Sequence, residues 1–262
     1  MIREMSVNGS FYPARAQEIE RYFEHFINVY DEDNVLPKTS TCKAVIVPHA
    51  GYVYSGYTAN IAYKILQQSK AKDFLIIGPS HRVAFDGISL CEYDSYNTPF
   101  GVIKRADSLY DDLVNNFPAT CRADAHYEHS TEVQFPFIKH YLSDVNIVEL
   151  VYSHTDVDKL SEIIDYVLKQ KDYGVIISTD LSHFYNLEEA NKLDNICLDA
   201  VEYLDVDKLN SGCEACGKTG VEAMIKSAKK LGLNSKILDY RTSADASDDT
   251  SKVVGYMSAY FE

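Results

Sequence analysis

Short apolar runs rich in β-branched residues alternate along this chain with longer stretches whose apolar residues recur on one helical face. Runs that are continuously apolar, rather than alternating, imply strands buried on both faces. Such strands are predicted over Lys43 to Pro48, Asp73 to Gly78, Gly87 to Cys91, Asn146 to Val151, Gly174 to Ser178, Lys236 to Tyr240 and Val253 to Tyr260. Helices are predicted over Arg15 to Asn28, Tyr57 to Gln68, Ser108 to Asn116, Thr131 to Tyr141, Asp156 to Gln170, Leu187 to Tyr203 and Thr219 to Leu231. The last carries Val221, Met224, Ile225 and Ala228 as a one-sided stripe. Asp31 to Ser40, polar and holding Pro37, reads as a loop, as does Asp245 to Ser251. Strands and helices in alternation predict an α/β protein with a central, mostly parallel or mixed sheet and helices on both faces. Without an internal repeat, a low-complexity tract or a convincing linker, the 262 residues are expected to form a single domain.

Charge narrows the partners. Against 25 basic side chains stand 39 acidic ones, for a formal charge of -14, so the global field repels phosphate backbones and anionic membrane surfaces. Neither nucleic acid nor membrane is an expected partner. No segment approaches the ~20 apolar residues that a membrane span requires, and a soluble, cytoplasmic protein is expected. Six cysteines are too few for a stapled secreted scaffold of this length. Several fall in apolar runs, where a free thiol packs as a small hydrophobe.

Three of the strands end alike, with a histidine a few residues beyond the last apolar position: His49 in VPHAGYVYSG, His81 in IIGPSHR and His183 in IISTDLSHF. Ligands in open α/β sheets sit outside the carboxyl ends of the strands, so the three segments are expected to bring imidazoles to one edge. A lone loop histidine satisfies a local hydrogen bond; three at equivalent positions point to a metal or a proton-transfer site. Glu128 and His129, in YEHSTE, are candidates for orienting a ligating imidazole, with Ser130 or Thr131 capping the helix that follows and Glu132 complementing its dipole. Asp180 is a candidate for the same orienting role, with a loop cap as its plainer reading.

The pair Cys213-Glu-Ala-Cys216 lacks the second pair of a zinc knuckle and lies too late in the chain for a thioredoxin-like dithiol. Cys216, at the start of the last predicted helix, is expected to have its thiol pKa lowered by the helix dipole, so that a thiolate completes a histidine site. Gly212 to Thr219 also spells a phosphate-binding loop pattern, but no apolar strand precedes it, which makes nucleotide hydrolysis the weakest reading.

With GSFYPA, VPHAGYVYSG, GPSH, TPF, EHSTEVQFPF, STDLSHF and CGKTGV in this order over nearly the whole chain, the sequence resembles the Memo family, the B component of the AmmeMemoRadiSam system, related in fold to class III extradiol dioxygenases. The resemblance implies a pocket holding iron or copper on His49, His81 and Cys216, with zinc also suited to a thiolate, and His183 lining it. A cysteine replaces the carboxylate of the dioxygenases, so their activity is not inherited with the fold. Two functions follow: a metal-dependent redox enzyme acting on a small-molecule substrate, or a peptide- or protein-binding adaptor. In the first, His183 handles a proton, Asp180, Glu128 and His129 support the chemistry, and Tyr52 and Tyr54 hold a planar substrate. The resemblance also implies radical-SAM and AMMECR1-like proteins as pathway partners.

Overall fold

Four strands with continuous apolar sequence lie parallel at the centre of the molecule because helices cover both of their faces. A computed structural model describes residues 1–33, 36–39 and 41–262, with residues 31–33 described by their backbone alone. In chain order the elements are β1 (Ile2–Arg3), α1 (Ala16–Asp33), β2 (Ala44–Val47), α2 (Tyr52–Leu66), β3 (Asp73–Pro79), β4 (Ile88–Ser89), β5 (Ser95–Tyr96), β6 (Ile103–Lys104) and α3 (Asp107–Asn116). There follow α4 (His129–Glu132), α5 (Gln134–Tyr141), β7 (Asn146–Tyr152), α6 (Val157–Lys169), β8 (Tyr173–Ser178), β9 (His183–Tyr185), α7 (Leu187–Glu202), α8 (Val206–Asn210), α9 (Lys218–Leu231), β10 (Ser235–Thr242), α10 (Ala244–Ser247) and β11 (Val253–Phe261).

The main sheet runs β10-β11-β2-β8-β3-β7-β4. Its centre, β2, β8, β3 and β7, is parallel, while β10, β11 and β4 join antiparallel and β9 pairs with β11. A small second sheet, β1-β5-β6, holds the N-terminus. The architecture is thus the mixed α/β sheet that the pattern predicts. Side chains alternate across a strand: Leu75 and Ile77 of β3 face a core closed by α6, α7 and α9, whereas Phe74 and Ile76 face a second core closed by α1, α2 and α5. Cutting one such buried Leu or Ile back to Ala costs about 2–5 kcal/mol.

Several boundaries differ from expectation. Helix α1 runs three residues into the predicted 31–40 loop, whose residues 34, 35 and 40 lie outside the described residues. Helix α2 starts at Tyr52, five residues early. The helix predicted from Thr131 is divided at Val133, because Pro136 has no N–H for the Glu132 carbonyl and crowds it. Only two residues of Gly87 to Cys91 form a strand. Cysteine usage is also corrected. Cys91 joins Cys121 and Cys197 joins Cys213, while Cys42, buried, and Cys216 are free. Pairing depends on which chain segments lie within about 4–7 Å of each other, which spacing in sequence does not encode. Among the described residues, no helix is long and apolar enough to cross a membrane.

Candidate metal centre

The order β2-β8-β3 sets three carboxyl-terminal strand ends side by side. The segments that leave them carry His49, the run Thr179 to His183, and His81. The rings of His49 and His81 lie 5.2 Å apart, and that of His129, arriving on α4, lies 5.3 Å from His49 and 4.5 Å from His81.

Hydrogen bonding sets which ring nitrogen is free. His49 is buried, with Nδ1 2.9 Å from Ser178 Oγ. That hydroxyl donates its own proton to the Ser130 carbonyl and accepts Gln134 Nε2–H at 3.0 Å. Gln134 is oriented in turn by donating to Pro48 O and accepting from the Tyr63 hydroxyl. Ser178 therefore accepts from His49, whose Nδ1 carries the proton and whose Nε2 turns its lone pair toward Cys216 Sγ at 3.3 Å. His81 Nδ1 lies 3.1 Å from Glu128 Oε1, and the Glu128 carboxylate also accepts the backbone N–H groups of His81, His129 and Ser130. Burial alone would raise the Glu128 pKa, but the hydrogen bonds and charge of His129 and His81 outweigh it and hold the group well below the usual carboxylate range. His81 therefore donates from Nδ1 and also leaves Nε2 free. His183 donates Nδ1–H to Leu181 O at 2.8 Å, with the same result.

His49 stays neutral: burial, then crowding by His81 and His129, lower its pKa well below the ordinary value. Cys216 departs from expectation. It precedes α9, but burial and the neighbouring Asp180 carboxylate push its thiol up to about 12, against the hydrogen bonds from Asp180 N and Gly217 N. The helix terminus alone does not make a thiolate; a cation is needed to displace the proton. The turn sits tight on the end of β8. A Cβ at Gly217 would lie 2.7 Å from Thr179, and Gly217 N–H donates to Thr179 Oγ1 at 2.9 Å. Asp180 Oδ1 accepts His49 N–H at 2.7 Å, and burial raises its carboxyl pKa.

One ring nitrogen each of His49 and His81 and the Cys216 sulfur all lie within 4.8 Å of one another. Two imidazole nitrogens and one sulfur suit iron(II), copper or zinc rather than magnesium or calcium. His81, Glu128 and His129 form a second such group. There Glu128 already accepts three backbone N–H groups and faces the imidazoles of both His81 and His129, and acts as a brace. His129 is stacked between His81 and Phe11, each about 4.5 Å away.

Tyr52 and Tyr54 part company. Tyr52 does not line the site: its ring is buried among Tyr12, Phe23 and Phe137, and its hydroxyl donates to Val133 O, because it begins a helix whose inner face is core. Tyr54 is exposed and lines a groove of about 390 Å³ with Ser243, Ser247, Asp249, Lys252, Val254 and Tyr256. Val254 pairs with His183, so the groove borders that segment. Helix α8 precedes the stretch Gly212 to Thr219, which thus lacks the strand a phosphate loop requires. The expected helix caps at Ser130 and Thr131 give way to Glu128, and Glu132 anchors the N-terminal segment instead. Ser178 and Gln134, which orient His49, escape sequence reading; Ser178 is the first of a polar stretch that closes a strand, and Gln134 is a single polar residue in an apolar run.

Fold and site define a mixed α/β protein with a His/His/Cys constellation at the carboxyl edge of its sheet. The sequence profile described as Memo-like protein matches residues 3–260, and the chain belongs to the Memo family. It is 32% identical over 271 residues to a MEMO1 family protein of Aquifex aeolicus, covering 99% of each chain. It is 34% identical over 284 residues to one of Methanobrevibacter smithii, covering 100% of each. A third, from Thermoplasma acidophilum, is 32% identical with 98% of each covered.

Proposed function

We propose that this Memo-family chain is a metal-dependent redox enzyme that holds iron or copper, with zinc as the alternative, on His49, His81 and Cys216 and acts on a small-molecule substrate. The observation that carries the reading is the convergence of one ring nitrogen each of His49 and His81 and the Cys216 sulfur within 4.8 Å, with His49 Nε2 3.3 Å from that sulfur. Iron or copper supplies one-electron chemistry and Lewis acidity there. The chain's own residues do the rest. Glu128 and Ser178 fix the ligand rings, Asp180 holds the His49 backbone, and His183, half-buried with Nε2 free, takes or gives a proton. Tyr54 and its groove supply the substrate wall beside His183. On this reading the protein works in the cytoplasm alongside radical-SAM and AMMECR1-like partners.

The test is the metal content of anaerobically purified protein. Wild type is expected to carry stoichiometric iron or copper, and folded His49→Ala and Cys216→Ser to lose it; equal content in all three overturns the assignment. His183→Ala is expected to keep most metal while oxygen consumption or turnover falls sharply.

One observation favours an adaptor as second reading. Val53, Tyr54, Tyr127 and Phe184 are exposed on the segments that carry site residues, as a docking surface would require. That reading expects a protein or peptide partner to bind equally well after the metal is removed.

A further inference from the structure

We propose that Asp194, on the inward face of α7, positions His183 through a single peptide group. Asp194 is fully buried, and Oδ1 accepts the backbone N–H of Ser182 at 2.9 Å. That N–H belongs to the same peptide plane as the Leu181 carbonyl, which accepts Nδ1–H of His183 at 2.8 Å. Carboxylate, peptide and imidazole thus form one chain of hydrogen bonds. A carboxylate drawing on the N–H end of a peptide makes its carbonyl a better acceptor. Asp194 is then the partner of His183 at one remove, in the role a carboxylate plays when it touches an imidazole directly and selects its tautomer.

Three further contacts are specific to this arrangement. Tyr240 O–H donates to Asp194 Oδ2 at 2.8 Å and fixes the other oxygen. Gly255 of β11 leaves the carboxylate its space, since a Cβ there would lie 2.0 Å from Oδ2. Gly255 also holds the two peptide groups that flank the one between Leu181 and Ser182, donating to Ser182 O at 3.0 Å and accepting from Leu181 N at 2.8 Å. The turn does not hold itself. Phe184, next to His183, has φ 67°, a left-handed conformation that a bulky side chain adopts only when its surroundings impose it.

The inference relies on the reading of His183 as a working imidazole only for its consequence in turnover. Its test needs neither substrate nor catalysis, so the two fail separately. Full-length protein labelled with ¹⁵N-histidine, metal-free and Zn²⁺-loaded, is examined by NMR at mildly alkaline pH, where imidazoles are neutral. In wild type, His183 is expected in the Nδ1–H form. In Asp194→Leu, which preserves bulk but accepts nothing, the Nδ1–H to Nε2–H ratio is expected to fall about twofold, as weakening the Leu181 acceptor by roughly 10–30% implies, with His49 and His81 unchanged. Asp194→Asn, whose amide oxygen still accepts Ser182 N–H, is expected to restore it. Tyr240→Phe is expected to lower the melting temperature without moving the tautomer, which separates positioning from general loosening. Should Asp194→Leu fail to fold, Gly255→Ala displaces the same carboxylate and carries the same expectation. The proposal is overturned if His183 keeps its wild-type tautomer ratio in the folded variant, or if Asp194→Asn loses it.

Discussion

Two buried polar clusters stand a short distance apart in this molecule and are built on opposite principles. In one, Arg3, Glu132, Glu149 and His126 are all almost wholly buried, and nearly every bonding position is filled. Glu132 accepts Ser6 N–H, Val7 N–H, Ser6 O–H and Tyr12 O–H and pairs with Arg3 at 3.1 Å; Glu149 faces His126, Thr131 and Arg3. His126 engages both ring nitrogens, one with Glu149 and one with Ser89. In the other, His81 and His183 satisfy Nδ1 and leave Nε2 open, His49 Nε2 meets only the Cys216 thiol at 3.3 Å, and like groups crowd one another. A cluster that holds a fold together saturates its donors and acceptors. On the proposed metal-site reading, the second cluster keeps some of its own bare for a ligand, and the surrounding protein fixes the rings instead.

The contrast is open to experiment. The largest effect is expected in the saturated cluster: Arg3→Met leaves two buried carboxylates without their cation and should cost about 3–5 kcal/mol of stability, read from urea denaturation. If it costs under about 1 kcal/mol, a surface-like value, the cluster is not the anchor described. At the open cluster, Cys216→Ser should lower affinity for iron(II) or copper by roughly 100-fold or more while the metal-free protein melts near the wild-type temperature. A large loss of stability without metal would place the thiol among the structural groups. Ser178→Ala removes no ligand but frees the His49 ring, and affinity should fall about 10- to 100-fold. Direct titration with the metal gives both numbers.

The smallest effects are graded ones with pH, and they have a defined sign. The Cys216 thiol, pushed up to about 12, is protonated at neutral pH, so metal binding must release its proton. Affinity is therefore expected to rise about tenfold per pH unit between pH 7 and 9, with one proton released per metal in calorimetry. Flat affinity over that range would mean that sulfur is not a ligand. The saturated cluster responds on the acid side. Burial would raise the Glu149 carboxyl, but Arg3 and His126 hold it below its ordinary value, so its contribution to stability is present above the carboxylate range and lost as pH falls through it. Glu149→Gln should flatten that part of the stability profile.

Position in the sheet was legible from residues alone. An apolar run buries a strand whatever its neighbours, and the residue that follows it must leave at the sheet's edge, which is why His49, His81 and His183 could be expected together. Cys216 was legible as a thiol at a helix start, since its place depends on the four residues after it. Its charge was not. Local position argued for a thiolate, and burial beside Asp180 reversed the sign. The bonding of Cys91 to Cys121, the retreat of Tyr52 into the core, and the roles of Ser178 and Asp194 belong to the same category. Periodicity reports on neighbours along the chain, one turn or two residues away. Tautomer, protonation and pairing depend on atoms about 3 Å apart in space, and only the order β11-β2-β8-β3-β7 brings those atoms together.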